Sequence, residues 1–238
     1  MNVPTTAASE TAERTATNPT TTTVHLVRHG EVYNPDHVLY ERLPEFHLSD
    51  RGRRMARATA EYIANDPVIN QAQAVFSSPL DRTRETAAPI IEALDKVRSE
   101  RGQARLPRLV TDERIIEAGN EFRGRRIGHG DGALWRPENL RLIRNLHRPS
   151  WGESYAHIAQ RMSDFVFEKI DEFAGGSFIA VSHESPIFTF RTFMVTGKPE
   201  HWMWQRHTAL ASVTSLTIDT RTHRLVSVVY ADPAAGVE

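Results

Sequence analysis

The residues best suited to chemistry stand just past apolar, β-like runs. Arg28 and His29 close the stretch "HLVRH", Ser77 and Ser78 close "AVFSS" with Arg82 shortly beyond, and Ser182 and His183 close "SFIAVSH". Glu117 comes directly after "RLVTDERII", a few residues past its β-like start. Arg28 and Arg82 offer planar, bidentate donors that match a phosphoryl group, and a nearby helix N-terminus would add backbone N–H groups and a favourable dipole. A histidine kept neutral by adjacent cations retains a lone pair for attack on phosphorus. The second histidine can donate a hydrogen bond where transition-state charge builds on the transferring oxygens. A carboxyl group must protonate the departing alkoxide, a role worth about 10²–10⁴ in rate. Such a set could move a phosphoryl group through a phosphohistidine, and no metal is required if the arginines carry the charge.

These residues work together only if the fold brings the strand ends to one edge. The chain alternates strand and helix signals. Val24–Arg28 reads as a strand covered on both faces. After a polar loop, Ser49 reads as the N-cap of a helix in which Met55, Thr59, Tyr62 and Ile63 recur at helical spacing up to Asn65. Ala74–Phe76 is a second strand, followed by a turn at Ser77–Pro79 and a helix carrying Thr86, Ala87, Ile90, Ile91 and Leu94, in which Pro89 marks a kink or a new first turn. A third strand is expected near Leu109–Thr111. Tyr155, Ile158, Met162, Phe165, Val166, Ile170 and Phe173 form the apolar face of the clearest helix, which Gly175 and Gly176 end. A continuous apolar strand, a further helix from Ser185 and two β-rich runs, "ASVTSLTID" and "HRLVSVVYA", complete the pattern. The fold class is therefore α/β: a mostly parallel sheet with one antiparallel edge strand and helices on both faces, a three-layer α/β/α sandwich. In such sheets ligands bind outside the carboxyl ends of the strands.

Composition sets the outer limits. The 238 residues are 39% hydrophobic and 25% charged, enough for one large core. Residues 1–22, rich in Thr and Ala, cannot offset their ordering entropy by burial and read as a disordered tail. Residues 23–238 form the domain, with a covering insertion at about 119–151 that is polar, basic and dotted with glycine; Leu134, Leu140, Ile143 and Leu146 suggest helical pieces within it. A net charge of −1 gives no general attraction for nucleic acid or anionic lipid. The chain has no cysteine, which excludes a disulfide framework, a thiolate metal site and a Cys nucleophile. No apolar run approaches the roughly 20 residues that span a bilayer, and no signal peptide is evident, so a cytoplasmic location is expected. No phosphate-binding P-loop, Gly-x-Ser-x-Gly elbow or His-Glu-x-x-His motif is present.

"LVRHGE", followed by "SSPLDRTRETA" and "VSHESP" at these separations, resembles the histidine phosphatase superfamily, whose branches include cofactor-dependent phosphoglycerate mutases and many small-molecule phosphatases. The resemblance runs from about Val24 to Tyr230. It implies that His29 is the phosphorylated nucleophile, that Arg28, Arg82 and His183 bind the phosphoryl group, and that Glu117, in "RIIEAGNEFRG", is the proton donor, with Glu121 as a rival. Asn34 corresponds approximately to an Asn near the site in relatives and joins the phosphate-binding set. The expected reaction is metal-independent and cofactor-free hydrolysis of phosphomonoesters. The partner is a small phosphorylated metabolite, with neither nucleic acid nor membrane, and a homodimer is left open. Two alternatives are mutase-type phosphoryl transfer and a phosphate-ester binding protein without turnover; the intact set of five residues argues against the second.

Other residues have two readings each. Glu153, in "GES", is either a charge at a helix N-terminus or a substrate contact. His25 is expected to be a satisfied core histidine. Tyr33, Tyr40 and Arg42 either shape the pocket or pack their loop, and Trp202 and Trp204 form either a buried or a lid-forming aromatic pair, with core packing the expected one.

Overall fold

A computed structural model describes residues 20–126, 132, 133, 135–142 and 151–238. The first strand, β1 (Thr21–Arg28), is the centre of the molecule. It pairs in parallel with β4 (Ser177–Ser182) on one side and antiparallel with β5 (Val213–Asp219) on the other. β2 (Val75–Ser77) lies beyond β4, the two-residue β3 (Val110–Thr111) beyond β2, and β6 (Leu225–Ala231) beyond β5, giving the order β3-β2-β4-β1-β5-β6. The four strands from β3 to β1 are parallel, and the β5–β6 hairpin forms the antiparallel edge.

The inner strands are buried on both faces, which is why they read as continuous apolar runs. Side chains still alternate: Val24 and Leu26 of β1, Phe178 and Ala180 of β4, and Phe76 of β2 enter one core layer, whereas Val27, Ile179, Val181 and Val75 enter the other. The first layer is closed by α4 (Tyr155–Glu172), through Ile158, Met162, Phe165, Val166 and Ile170, and by α5 (Glu184–Thr196), through Ile187 and Phe190. The second is closed by α1 (Asp50–Asn65), through Ala60 and Ile63, and by α2 (Asp81–Glu100), through Ala87, Ile90 and Leu94. Ser49 caps α1 by accepting the Gly52 N–H, as its position predicts. Pro89 lies inside α2, which is one helix rather than two, so no new first turn begins there. Among the described residues no helix is long and apolar enough to cross a membrane.

The proposed tail boundary is corrected at its end. Thr21 and Thr22 belong to β1, paired with Asp219 and Ile218. Thr22 is fully buried and its hydroxyl donates to the Ile170 carbonyl at 3.2 Å, which is where a β-branched polar residue can satisfy a strand position inside a core. Residues 1–19 lie outside the described residues. Within the expected insertion, a short helix α3 (Pro137–Leu140) is described and Phe122, Ala133, Asn139 and Trp151 are buried. Its two ends are joined by an antiparallel bridge between Asn120 and Gly152. Leu134, Ile143 and Leu146 lie outside the described residues.

Candidate active site

The strand register sets the geometry. Arg28 is the residue opposite Ser182 in the β1–β4 pair, and Ser77 stands opposite Val181 in the β2–β4 pair, so His29, Ser78 and His183 are the next residues out on three neighbouring strands. The ladder continues past the strand ends: the His29 N–H donates to the Ser182 carbonyl at 3.1 Å and the Ser78 N–H to the Val181 carbonyl at 2.9 Å. On the other side the Arg28 N–H donates to Ser212 and the Ala211 N–H to His29. Backbone bonds to both neighbours thus hold the Arg28–His29 pair. Gly30 then turns the chain tightly against α1, where an added Cβ would approach the Gly52 carbonyl oxygen to 2.6 Å.

His29 is only 2% exposed. Its Nδ1 lies 2.7 Å from the Gly30 carbonyl oxygen, which accepts only if Nδ1 carries the proton, and Nε2 is therefore the lone-pair nitrogen. Burial, and then the nearby charges of Arg82 and Arg28, hold the His29 pKa well below the usual histidine value. The His183 ring meets the His29 ring edge to face with centroids 5.2 Å apart. His183 Nε2 lies 2.8 Å from Ser78 Oγ, while its Nδ1 is buried without a hydrogen bond. Burial, followed by Arg82 and His29, lowers its pKa in the same direction.

Arg82 enters from the first turn of α2 and is fully buried. Its Nη2 donates to the Glu41 carbonyl and its guanidinium lies 4.8 Å from the centre of the Tyr40 ring, but Nε and Nη1 have no hydrogen-bond partner. Arg28 Nη1 donates to the Thr208 carbonyl and sits 3.3 Å from Glu184, and its Nε is also buried without a partner. Buried donors are almost always satisfied. Four nitrogens on the side chains that cluster with His29, namely Arg82 Nε and Nη1, Arg28 Nε and His183 Nδ1, thus lack a partner, a set suited to a small anion.

Glu117 approaches from the other side. Its Oε2 is 4.0 Å from His183 Nδ1 and its Oε1 accepts the Ala118 N–H at 2.8 Å. Burial raises its pKa, outweighing the Ala118 hydrogen bond and the charges of Arg82, Arg28 and Arg206 that act the other way. The segment is tied to the end of β4, because Ser182 Oγ donates to the Ile115 carbonyl at 2.7 Å. Arg42 Nε donates to the Glu117 carbonyl at 2.7 Å, and Arg42 Nη2 to Glu153 Oε2 at 2.8 Å.

Arg28, His29, Arg82, Glu117 and His183 are therefore brought together, as their positions after the strands predict. Asn34 is not: its Nδ2 donates to the Val38 carbonyl and its Oδ1 accepts the Val38 N–H, so the carboxamide closes its own loop. Glu121 is exposed, and its backbone N–H is bonded to Trp151. Tyr40 faces the cluster, stacked on Phe46, whereas Tyr33 is exposed. Glu153 is neither a simple helix-terminus charge nor free for substrate, being bonded by Arg42, Arg161, His157 and the Gly119 N–H. Trp202 and Trp204 stack on one another at 4.7 Å and are 38% and 66% exposed, which corrects the expected core packing. His25 is buried with Nδ1 2.7 Å from Ser215 Oγ, but its Nε2 has no partner, so it is only half satisfied. Sequence reading missed Glu184, Glu41 and Arg206; only Glu184, inside "VSHESP", carried a local signal. Among the described residues no group of three or more His, Asp or Glu side chains is arranged to hold a metal ion.

Known proteins resemble this chain in sequence and in fold. The chain is 44% identical over 217 residues to an uncharacterized protein of Mycobacterium tuberculosis, covering 91% of this chain and 99% of that protein. It is 29% identical over 174 residues to phosphoserine phosphatase 1 of Hydrogenobacter thermophilus, covering 68% and 71% of the two chains. Its fold is similar to that of a mycobacterial glucosyl-3-phosphoglycerate phosphatase, with a TM-score of 0.64 and 21% identity over 86% of this chain and 96% of the other. Residues 24–230, which hold the five converging side chains and nearly all of the sheet, match the family model of the histidine phosphatase superfamily, branch 1, and the chain belongs to that superfamily.

Proposed function

We propose that this protein is a phosphatase that hydrolyses phosphomonoesters of small metabolites through a phosphohistidine on His29. The observation that carries the reading is the open donor cradle: Arg82 Nε and Nη1, Arg28 Nε and His183 Nδ1, all buried and unpartnered beside a neutral His29. An isolated buried guanidinium is costly, and a dianionic phosphoryl group is the partner that would offset it. In this reading Nε2 of His29 attacks phosphorus while the ester P–O bond breaks. The Arg28, Arg82 and His183 donors stabilise the equatorial oxygens, and Glu117 gives its proton to the leaving oxygen. Water then attacks the phosphohistidine, the Glu117 carboxylate takes a proton from that water, and inorganic phosphate leaves with His29 restored. The raised pKa of Glu117 suits the first step, since the group must begin protonated. Phosphatases among the relatives support hydrolysis as the outcome.

Incubation with a radiolabelled phosphomonoester is expected to leave an acid-labile phosphoryl label on the protein. His29→Ala should abolish both label and turnover, and turnover that survives in this variant would overturn the mechanism. A panel of phosphorylated metabolites, assayed with and without bisphosphoglycerate, identifies the acceptor: release of inorganic phosphate supports the phosphatase, and isomerised ester the mutase.

A further inference from the structure

Two consecutive residues of the loop after β1 reach both halves of the site. The Glu41 carbonyl accepts from Arg82, a fully buried member of the anion cradle, and the Arg42 side chain grips the segment that carries Glu117. The grip extends over three successive residues. Arg42 Nε holds the Glu117 carbonyl at 2.7 Å, the Ala118 N–H bonds the Glu117 carboxylate itself, and Glu153 accepts the Gly119 N–H at 3.2 Å while its own N–H donates to the Gly119 carbonyl at 2.8 Å. Gly152 packs so closely on the Gly119 carbonyl that no Cβ would fit between them. Glu153 is in turn oriented by Arg161, whose Nε and Nη2 lie 2.7 and 3.1 Å from its two oxygens, and Arg161 Nη1 bonds the Arg114 carbonyl just upstream of Glu117.

What this arrangement constrains is the backbone from Glu117 to Gly119, and hence where the Glu117 carboxyl points. A proton donor must come within about 2.6–3.2 Å of the leaving oxygen, and a misplacement of about 1 Å can cost 10²-fold. Arg42 is poorly suited to bind substrate itself. Its charge is met by Glu153 at 2.8 Å and by Glu41 at 3.5 Å, and its Nε and Nη2 are spent on a carbonyl and a carboxylate.

We propose that Arg42, braced by Glu153, is a positioning residue that aims the Glu117 carboxyl at the leaving group. This rests on the reading of Glu117 as proton donor. The test uses the full-length protein, its Arg42→Gln, Arg42→Lys and Glu153→Gln variants, and two esters, glycerol phosphate with a poor leaving group and nitrophenyl phosphate with a good one. Each variant is expected to lose about 10–100-fold in kcat on glycerol phosphate and far less on nitrophenyl phosphate, with KM little changed. Arg42→Lys should not rescue, because it keeps the charge but lacks the two-pronged fork. In a Glu117→Gln background, adding Arg42→Gln should cost less than about threefold further, since residues that act as one unit are not additive.

Equal losses on both esters, a change confined to KM, or a full further loss in the Glu117→Gln background would overturn the proposal. If Arg42→Gln fails to melt cooperatively, Arg42→Lys and Glu153→Gln are judged on the same criteria. Loss of both esters alike in Glu117→Gln would bring down the proton-donor reading and this proposal with it. A selective loss in Glu117→Gln without one in the Arg42 and Glu153 variants would bring down only the positioning role.

Discussion

The imidazole rings of His29 and His183 meet edge to face, 5.2 Å apart, although 154 positions separate them in the chain. They meet because each is the first residue beyond a pair in register, Arg28 with Ser182, on adjacent parallel strands. Two buried rings at this distance, with two guanidiniums beside them, disfavour protonation of either.

That neutrality predicts a pH profile. An ordinary histidine nucleophile would lose half its activity near pH 6.5 on acidification. Here burial and the two arginines push the His29 pKa well below that value, so the acid limb of kcat/KM on nitrophenyl phosphate should lie well below pH 6.5 once ionisation of the ester is corrected for. A limb centred near 6.5 would show that His29 is not held neutral by its surroundings.

Arg82 sets stability against function. Its guanidinium is fully buried and Nε and Nη1 have no partner, so without ligand the fold carries a desolvation cost that an apolar residue would not. Arg82→Met is therefore expected to melt at or above the wild-type temperature without ligand. Inorganic phosphate at about 100 times its Kd should stabilise the wild type by about 2.7 kcal/mol and leave Arg82→Met nearly unmoved. Thermal melts with and without phosphate check both halves; an undiminished phosphate shift in the variant would contradict the cradle.

His25 predicts acid sensitivity remote from the site. Burial lowers its pKa from 6.5 to about 4, so the unfolded chain binds a proton that the folded chain refuses. Its contribution to stability is complete above pH 6.5 and is lost progressively as pH falls towards 4, amounting to about 2–3 kcal/mol. Denaturant titrations at pH 7 and pH 4.5 should show a smaller difference in His25→Leu than in the wild type by about that amount.

Gly52 tests the packing of the first loop on α1. Gly to Ala inside a helix ordinarily gains about 1 kcal/mol. At Gly52, however, a Cβ would overlap the Glu31 backbone, including its carbonyl oxygen, and backbone cannot step aside cheaply. Gly52→Ala should therefore lower Tm by several degrees and reduce turnover by displacing the Gly30–Glu31 turn that follows His29. A rise in Tm would mean that helix propensity outweighs the clash.

The central sheet and four of the five clustered side chains were readable from residue order because their signal is local. An apolar run of β-branched residues that ends in Arg28–His29 or Ser182–His183 specifies a buried strand and a polar group at its tip, and parallel pairing then aligns the tips. Arg82 follows from the same logic one turn into α2. Glu117 follows the third strand in the same way, but its role as proton donor comes from the resemblance, because a carboxylate after a two-residue strand has no periodic mark, and choosing between it and Glu121 requires the fold to bury one and expose the other. Asn34 and Arg42 show the limit most clearly. Both lie on the loop after β1, yet one bonds its own loop and the other crosses to the Glu117 carbonyl. Their partners are backbone atoms, which every residue possesses, so residue type and spacing cannot reveal the pairing. It follows from the path of the loop, and that path is set by long-range packing.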